Sequence, residues 1–370
     1  MNTQPTLRIL GIRGVPAAHG GFETFAERLA PYLIERGWRV IVYCQEEGRS
    51  APWEDRWNGV ERVHIGVEGD GAASTVVFDW KATLHAACHR DPCLTLGYNT
   101  AVFCALLRLR GIPNAINMDG IEWARDKWGA MAKTWFWLND WAGSWLGNRL
   151  VADHPEIARH LETRTAARKI EMIPYGADRV GDDVDVAPLL ALGLEPGRYL
   201  SLIARPEPEN SVLEVVTAFS RRPRGVTLAV LGNYRDSHPY QRAVKAAAGP
   251  EVRFLGAIYE TATVQALRRH SLAYLHGHRV GGTNPSLVEA LGAGNAVIAH
   301  DNRFNRWVAG EGAAYFDSVD TLAQLLDRLL ADGAALAGMR AASEARFAQA
   351  FTWPAVLADY ERFLRAMQRP

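Results

Sequence analysis

Short apolar runs alternate with helix-length amphipathic stretches twice over in this chain, with a single break between the two series. In the first series, Leu7–Ile12, Val40–Cys44, Val63–Val67, Cys93–Leu96, Ala115–Met118 and Leu150–Ala152 read as strands. Helices are expected between them at Gly21–Arg36, Val77–His89, Thr100–Arg110, Lys127–Leu146 and Pro155–Glu162. The break falls at Pro174–Pro196, which holds Gly176 and the acidic cluster Asp182, Asp183 and Asp185. Strands then resume at Tyr199–Ala204, Thr227–Leu231, Val252–Leu255, Leu272–Leu275 and Ala296–Ala299, again alternating with helical stretches. This alternation predicts parallel sheets wound by helices on both faces, and 370 residues suffice for two such domains. Ligands of such sheets bind beyond the carboxyl ends of the strands, so a cleft between the domains is expected.

Composition narrows the classes. Lys+Arg and Asp+Glu are equal at 41 each, which argues against a nucleic-acid protein working through bulk positive charge. No stretch reaches the roughly 18 uncharged apolar residues of a membrane span, and the polar start argues against a signal peptide. Cys44, Cys88, Cys93 and Cys104 form no CxxC pair, so they are expected to be reduced, buried thiols in a cytoplasmic protein.

Several strand ends carry chemistry. The first strand-to-helix turn holds Gly11, Gly14, Gly20 and Gly21, with Glu23 close behind. Glycines at such a turn let backbone amides approach an anion, although GxGxxG is absent and a nicotinamide dehydrogenase is disfavoured. A second turn reads from His276 and His278 through Gly281, Gly282, Thr283, Asn284, Pro285 and Ser286 to Glu289. Asn284 suits an N-cap and Pro285 the first helical position, so first-turn amides are expected to stand open to a phosphate. Glu289, one turn on, could accept bonds from ribose hydroxyls or simply complement the helix dipole. His278 and His276 are loop histidines at a strand end, either of which could meet a ligand. Arg205 follows a strand and could hold a diphosphate. Asp119 does so in the first domain, where it could orient a hydroxyl or serve an Asp-Gly turn. No HExxH, GxSxG or P-loop pattern occurs.

With these residues in place, the chain resembles family 4 glycosyltransferases over nearly its whole length. Gly20-Gly21-Phe22-Glu23 with Leu33–Val40 is similar to the family's first βα unit, and Ile173–Asp178 to its "IPNGVD" segment. Arg205 falls at the diphosphate-binding arginine, and Glu289 at the second glutamate of E-x7-E. Two positions depart: Gly281 replaces the first glutamate, and Asn210 replaces a lysine. Gly281–Leu287, Pro208-Glu209-Asn210 and Asp119–Trp123 resemble bacterial rhamnosyltransferases of polysaccharide biosynthesis. The resemblance implies the GT-B fold: an α/β protein of two doubly wound Rossmann-like domains facing each other across a cleft. Residues 1–180 would form the acceptor-side domain, residues 190–350 the nucleotide-sugar domain, and helix 352–370 would return to the first.

The resemblance further implies retaining, metal-independent transfer of L-rhamnose from dTDP-rhamnose, with no resident cofactor, to a glycan hydroxyl carried on a polyprenyl-diphosphate lipid. Asp119 and Arg205 would be catalytic. Gly20, Gly21, Arg205, Asn210, His278, Gly281, Gly282, Thr283, Asn284, Ser286 and Glu289 would bind the donor. A nucleotide-sugar epimerase on the same fold, or a non-catalytic nucleotide-sugar-binding partner, remain alternatives. Six of the twelve tryptophans lie between Trp123 and Trp145, and Trp137, Trp141 and Trp145 recur at helical spacing. They predict either a core-facing stripe or an aromatic edge in peripheral contact with the inner face of the membrane.

Overall fold

The computed structural model describes residues 4–18, 20–69 and 71–367. The chain forms two compact units, residues 1–174 with 353–370 and residues 175–352.

In the first unit the chain runs β1 (Thr6–Leu10), α1 (Gly21–Glu35), β2 (Arg39–Glu47), β3 (Trp53–Trp57), β4 (Val60–Val67) and α2 (Ala72–Ala86). It continues with β5 (Cys93–Leu96), α3 (Cys104–Leu109), β6 (Asn114–Asn117), α4 (Ala130–Leu146), β7 (Arg149–Ala152), α5 (Pro155–Glu162) and β8 (Ile170–Met172). The sheet order is β3-β4-β2-β1-β5-β6-β7-β8. All pairs are parallel except β3–β4, an antiparallel edge hairpin. The strands are near-continuous apolar runs because helices cover both faces, so Leu7, Ile9, Val42, Leu94, Ile116 and Val151 are all fully buried.

The second unit holds α6 (Ala187–Ala191), β9 (Tyr199–Ile203), α7 (Val212–Ser220), β10 (Thr227–Leu231), α8 (Pro239–Ala246), β11 (Val252–Gly256) and α9 (Thr261–Arg269). Then follow β12 (Ala273–His276), α10 (Pro285–Gly292), β13 (Ala296–His300), α11 (Arg303–Ala309), β14 (Ala314–Phe316), α12 (Val319–Leu330) and α13 (Gly333–Ala350). Its parallel sheet has the order β11-β10-β9-β12-β13-β14. One core layer centres on Val215, Phe219, Leu275, Leu322 and Leu326, another on Tyr274, Leu287, Leu291 and Phe351.

Residues 175–180, read from sequence as the end of the first domain, are tied instead to the second unit. Ala177 N–H donates to Phe351 O and Val180 N–H to Gly292 O, both at 2.9 Å. The last helix, α14 (Trp353–Met367), packs on α1 of the first unit, where Tyr360 lies over Phe25 at 4.5 Å between ring centroids. Cys44, Cys93 and Cys104 are buried, but Cys88 is exposed at the end of α2, correcting the expectation of four buried thiols.

The tryptophan-rich helix α4 overturns the core reading. Its buried residues are Asn139, Asp140, Gly143 and Ser144, while Trp137 and Trp145 are 44% and 61% exposed. Gly143 explains the inversion, since a Cβ there would approach Met118 Sδ to 3.0 Å. The small and polar stripe lets the helix sit close to the sheet, and Trp135, Trp137 and Trp145 face outward.

Candidate functional site

In each sheet the strand order reverses once, between β1 and β5 in the first unit and between β9 and β12 in the second. The carboxyl ends of such strand pairs are where open α/β sheets bind ligands.

In the second unit the loops after β9 and β12 are laced together. Arg279 N–H donates to Glu209 O at 2.9 Å. Gly277 packs so tightly that a Cβ would meet Asn210 O at 2.2 Å. Asn210 is buried, and its Nδ2 donates to Arg205 O at 2.8 Å, so it shapes the turn that presents Arg205. Asn210, expected at the donor, has its side-chain amide engaged inward. Arg205 is exposed and forms no ion pair among the described residues. Arg279, by contrast, is engaged by Ser211 Oγ at 2.8 Å and by Glu214 Oε1 at 2.5 Å. Arg205 is therefore the cation of these two loops left open to an anion.

Helix α10 begins as its sequence dictates. Asn284 Oδ1 accepts from Ser286 N–H at 3.0 Å, with Pro285 at the first turn. Leu287 and Val288 N–H both donate to Asn284 O. The first-turn amides are therefore satisfied internally, which corrects the expectation that they stand open. The half-buried Gly281-Gly282 turn before Thr283 and Asn284 is a roomier backbone approach, with Gly281 at φ +135° and nothing within 4 Å of a Cβ position.

Ser286 also turns inward. Its Oγ lies 2.8 Å from Tyr274 OH and accepts from Arg268 Nη2 at 3.2 Å. Glu289 pairs with the buried Arg268 at 2.6 Å. Tyr274 OH in turn lies 3.3 Å from His276 Nδ1. A polar chain thus runs from Glu289 through Arg268, Ser286 and Tyr274 to His276. His276 is fully buried and stacks on the ring of His278 at 4.3 Å. Burial first, then His278, hold its imidazole well below the usual histidine range, so it is neutral. His278 is braced through its carbonyl, which accepts from Asn302 and Asn305 at 3.0 and 2.8 Å.

In the first unit the β1–α1 turn lies against the end of β5. Gly11 has φ +82°, and a Cβ there would meet Leu96 O at 2.3 Å. Glu23 Oε1 reaches back from α1 to accept from Arg13 N–H at 3.3 Å. Gly20 is the N-terminal flank of α1, exposed and without a side-chain cap, and Gly21 opens the helix.

Asp119 follows β6 in the left-handed region, at φ +52°. Its N–H donates to Asn117 Oδ1 at 3.0 Å, and Asn117 Nδ2 donates to the buried Tyr360 OH at 2.7 Å. Helix α14 therefore fixes the Asp119 turn. Burial, and secondarily the charge of Glu122, push the Asp119 carboxyl up to about 6, against a bond from Gly120 N–H. The turn is braced further on. Glu122 N–H donates to Tyr98 OH at 2.8 Å, and Trp123 Nε1 to Asp140 Oδ2 at 2.7 Å. Asp140 also accepts from His160 and Arg164. Sequence reading missed Tyr98, although it follows Gly97 at a strand end, the same signal that singled out Arg205. Arg268 and Asp140 gave no such signal because both act from within helices. Among the described residues, no three His, Cys, Asp or Glu side chains gather as a metal site.

Comparison with known proteins identifies the fold. Residues 213–362 match a family described as glycosyl transferase-like, and residues 4–178 a domain of unknown function, DUF1972. Among solved structures, sucrose-phosphate synthase from Thermosynechococcus elongatus is similar over 98% of this chain and 99% of its own, at TM-score 0.80 and 15% identity. HepE from Anabaena in complex with UDP covers 98% and 100%, at 0.75 and 13%. The UDP-forming trehalose-phosphate synthase from Burkholderia xenovorans covers 99% and 100%, at 0.72 and 14%. No curated protein matches the sequence. The chain has the GT-B fold of glycosyltransferases.

Proposed function

We propose that this chain is a retaining glycosyltransferase that moves L-rhamnose from dTDP-rhamnose to a hydroxyl of a growing, polyprenyl-diphosphate-linked glycan. The observation that carries the reading is Arg205: an exposed residue at the β9/β12 reversal that forms no ion pair among the described residues, its backbone carbonyl held by Asn210. A bidentate guanidinium opposes the charge that a departing nucleoside diphosphate develops, which is where electrostatic catalysis acts. The bond from the anomeric carbon to the diphosphate oxygen breaks as the bond to the acceptor oxygen forms on the same face. The acceptor proton passes to the departing phosphate. Asp119, ionised above pH 6, orients that hydroxyl. The fold and the glycosyl transferase-like match support transfer. HepE is a UDP complex and the Burkholderia enzyme is UDP-forming, so UDP-sugars are the donors to weigh against dTDP-rhamnose.

The test is nucleoside diphosphate release over a panel of dTDP- and UDP-sugars, with and without a lipid-linked acceptor. Release that requires acceptor and is fastest with dTDP-rhamnose is expected. Conversion of the donor without acceptor, or no turnover of any donor, would overturn the reading.

A further inference from the structure

The outward rings of α4 belong to a larger surface. Ten of the fourteen exposed large apolar side chains among the described residues lie between Val77 and Trp145. The crossovers from β4 to β5, β5 to β6 and β6 to β7 all step the same way across the sheet, so α2, α3 and α4 share one face. They pack side by side, with Trp80 of α2 against Phe103 at 5.2 Å and Val102 N–H bonded to Asn139 of α4 at 3.0 Å. Their outer surface carries Trp80, Leu84, Leu109, Met131, Leu138 and Trp145, exposed by 40 to 88%. Apolar exposure on this scale marks an interaction surface.

Charge identifies what it meets. The only carboxylates in the three helices are Asp79 and Asp140, and both are buried. Asp79 accepts from Thr100, and Asp140 is taken up by Trp123, His160 and Arg164. Lys81 and Arg108 are exposed on these helices and Arg110 just after α3, and Lys133 is half-exposed beside Asp126, which lies before α4. The face is thus aromatic and cationic, with no exposed anion on its helices. A second copy docked on it would press cations against cations. An anionic bilayer would instead take the tryptophans at its interface and the cations at its headgroups.

We propose that the α2, α3 and α4 face of the first unit seats the protein on an anionic phospholipid bilayer. It deepens the lipid-linked-acceptor reading, which it would bring within reach of the bilayer surface, but it stands on this surface alone. No helix among the described residues is long and apolar enough to cross a membrane, so the contact is interfacial.

Sedimentation of the full chain with phosphatidylglycerol–phosphatidylcholine vesicles, without donor or acceptor, tests it. Binding is expected to anionic vesicles and not to pure phosphatidylcholine, and to fall at least tenfold in high salt. Two variants separate the contributions: L109S/M131S/L138S for the apolar part and R108E/K133E for the cations. Each should lower partition about tenfold or more while circular dichroism stays native. All five positions are at least a third exposed, and should one variant lose its fold, brominated-lipid quenching of wild-type tryptophan fluorescence reads the same contact. A wild-type chain that stays in the supernatant, or a dimer in light scattering that L109S/M131S/L138S abolishes, would overturn the proposal. Vesicle binding with no sugar transfer would defeat the reaction reading alone. Transfer to a soluble acceptor without vesicle binding would defeat only this one.

Discussion

The side-chain amide of Asn210 donates to the backbone carbonyl of Arg205 at 2.8 Å, so Asn210 holds the arginine's own turn in place. The contact is part-buried, and Arg205 O keeps a second donor in Glu207 N–H at 2.7 Å. Asn210→Ala should therefore cost only about 1 kcal/mol in urea unfolding. Its larger effect should fall on donor affinity, because the exposed guanidinium loses its fixed base. Arg205→Ala should lose most transfer with an unchanged unfolding midpoint. Equal affinity for donor in wild type and both variants would detach this turn from the chemistry.

Glu289 has two tasks to separate. Its bond to the buried Arg268 means that Glu289→Gln leaves a cation less well opposed in the interior. Because Glu289 is itself partly exposed, a loss of about 1–2 kcal/mol is expected rather than the full cost of breaking a buried pair. Nucleotide affinity, measured calorimetrically at a temperature where the variant is fully folded, should weaken as well. Loss of stability with unchanged affinity would leave Glu289 a purely internal partner of Arg268.

Gly277 is the tightest point between the two loops. A Cβ would lie 2.2 Å from Asn210 O, a backbone atom that cannot swing aside. Gly277→Ala should cost about 2 kcal/mol by forcing the loops apart. Donor affinity should fall with it, since Asn210 and Arg205 move together.

Metal is expected to be dispensable. The positive charge proposed to oppose the diphosphate is Arg205, so turnover should persist in excess chelator. Complete loss in chelator, restored by Mg²⁺ or Mn²⁺, would reassign that charge.

The parallel sheets and the start of α10 were legible because their signals are local: apolar runs, and an Asn-Pro cap whose geometry follows from the residues themselves. The hairpin strand Trp53–Trp57 was not, since WEDRW has no apolar run. It is held as an edge by its antiparallel pairing with β4 and by Asp55 bonding Arg62 and His64. The orientation of α4 was hidden for another reason. Tryptophans at helical spacing fit either a core stripe or an outward aromatic edge, and only the sheet reveals that Gly143 and Ser144 are the residues small enough to face it. In the site, Arg205 and Asp119 could be read from strand ends. That Asn210 and Ser286 point inward could not, because their partners Arg205 O and Tyr274 OH are set by turn geometry and tertiary packing.

Asp119 yields the most specific prediction because its carboxyl is pushed up to about 6. Burial and Glu122 push it up to about 6 from an unfolded value of about 4. If ionised Asp119 orients the acceptor, transfer should fall as pH drops through 6, and Asp119→Asn should give a low, flat profile. Asparagine tolerates the left-handed backbone at φ +52°, so the turn itself should survive. Stability must move the opposite way. The folded state binds this proton more tightly than the unfolded state, so its contribution is fully present below pH 4 and lost as pH rises through 6. Asp79, also pushed up to about 6 by burial, adds a slope of the same sign, which makes the variant the proper reference. Relative to Asp119→Asn, wild type should lose stability between pH 4 and 7 while it gains activity. Parallel unfolding curves for the two proteins across that range would show that folding does not raise the Asp119 carboxyl, whereas wild-type transfer in Asp119→Asn would remove the acceptor role.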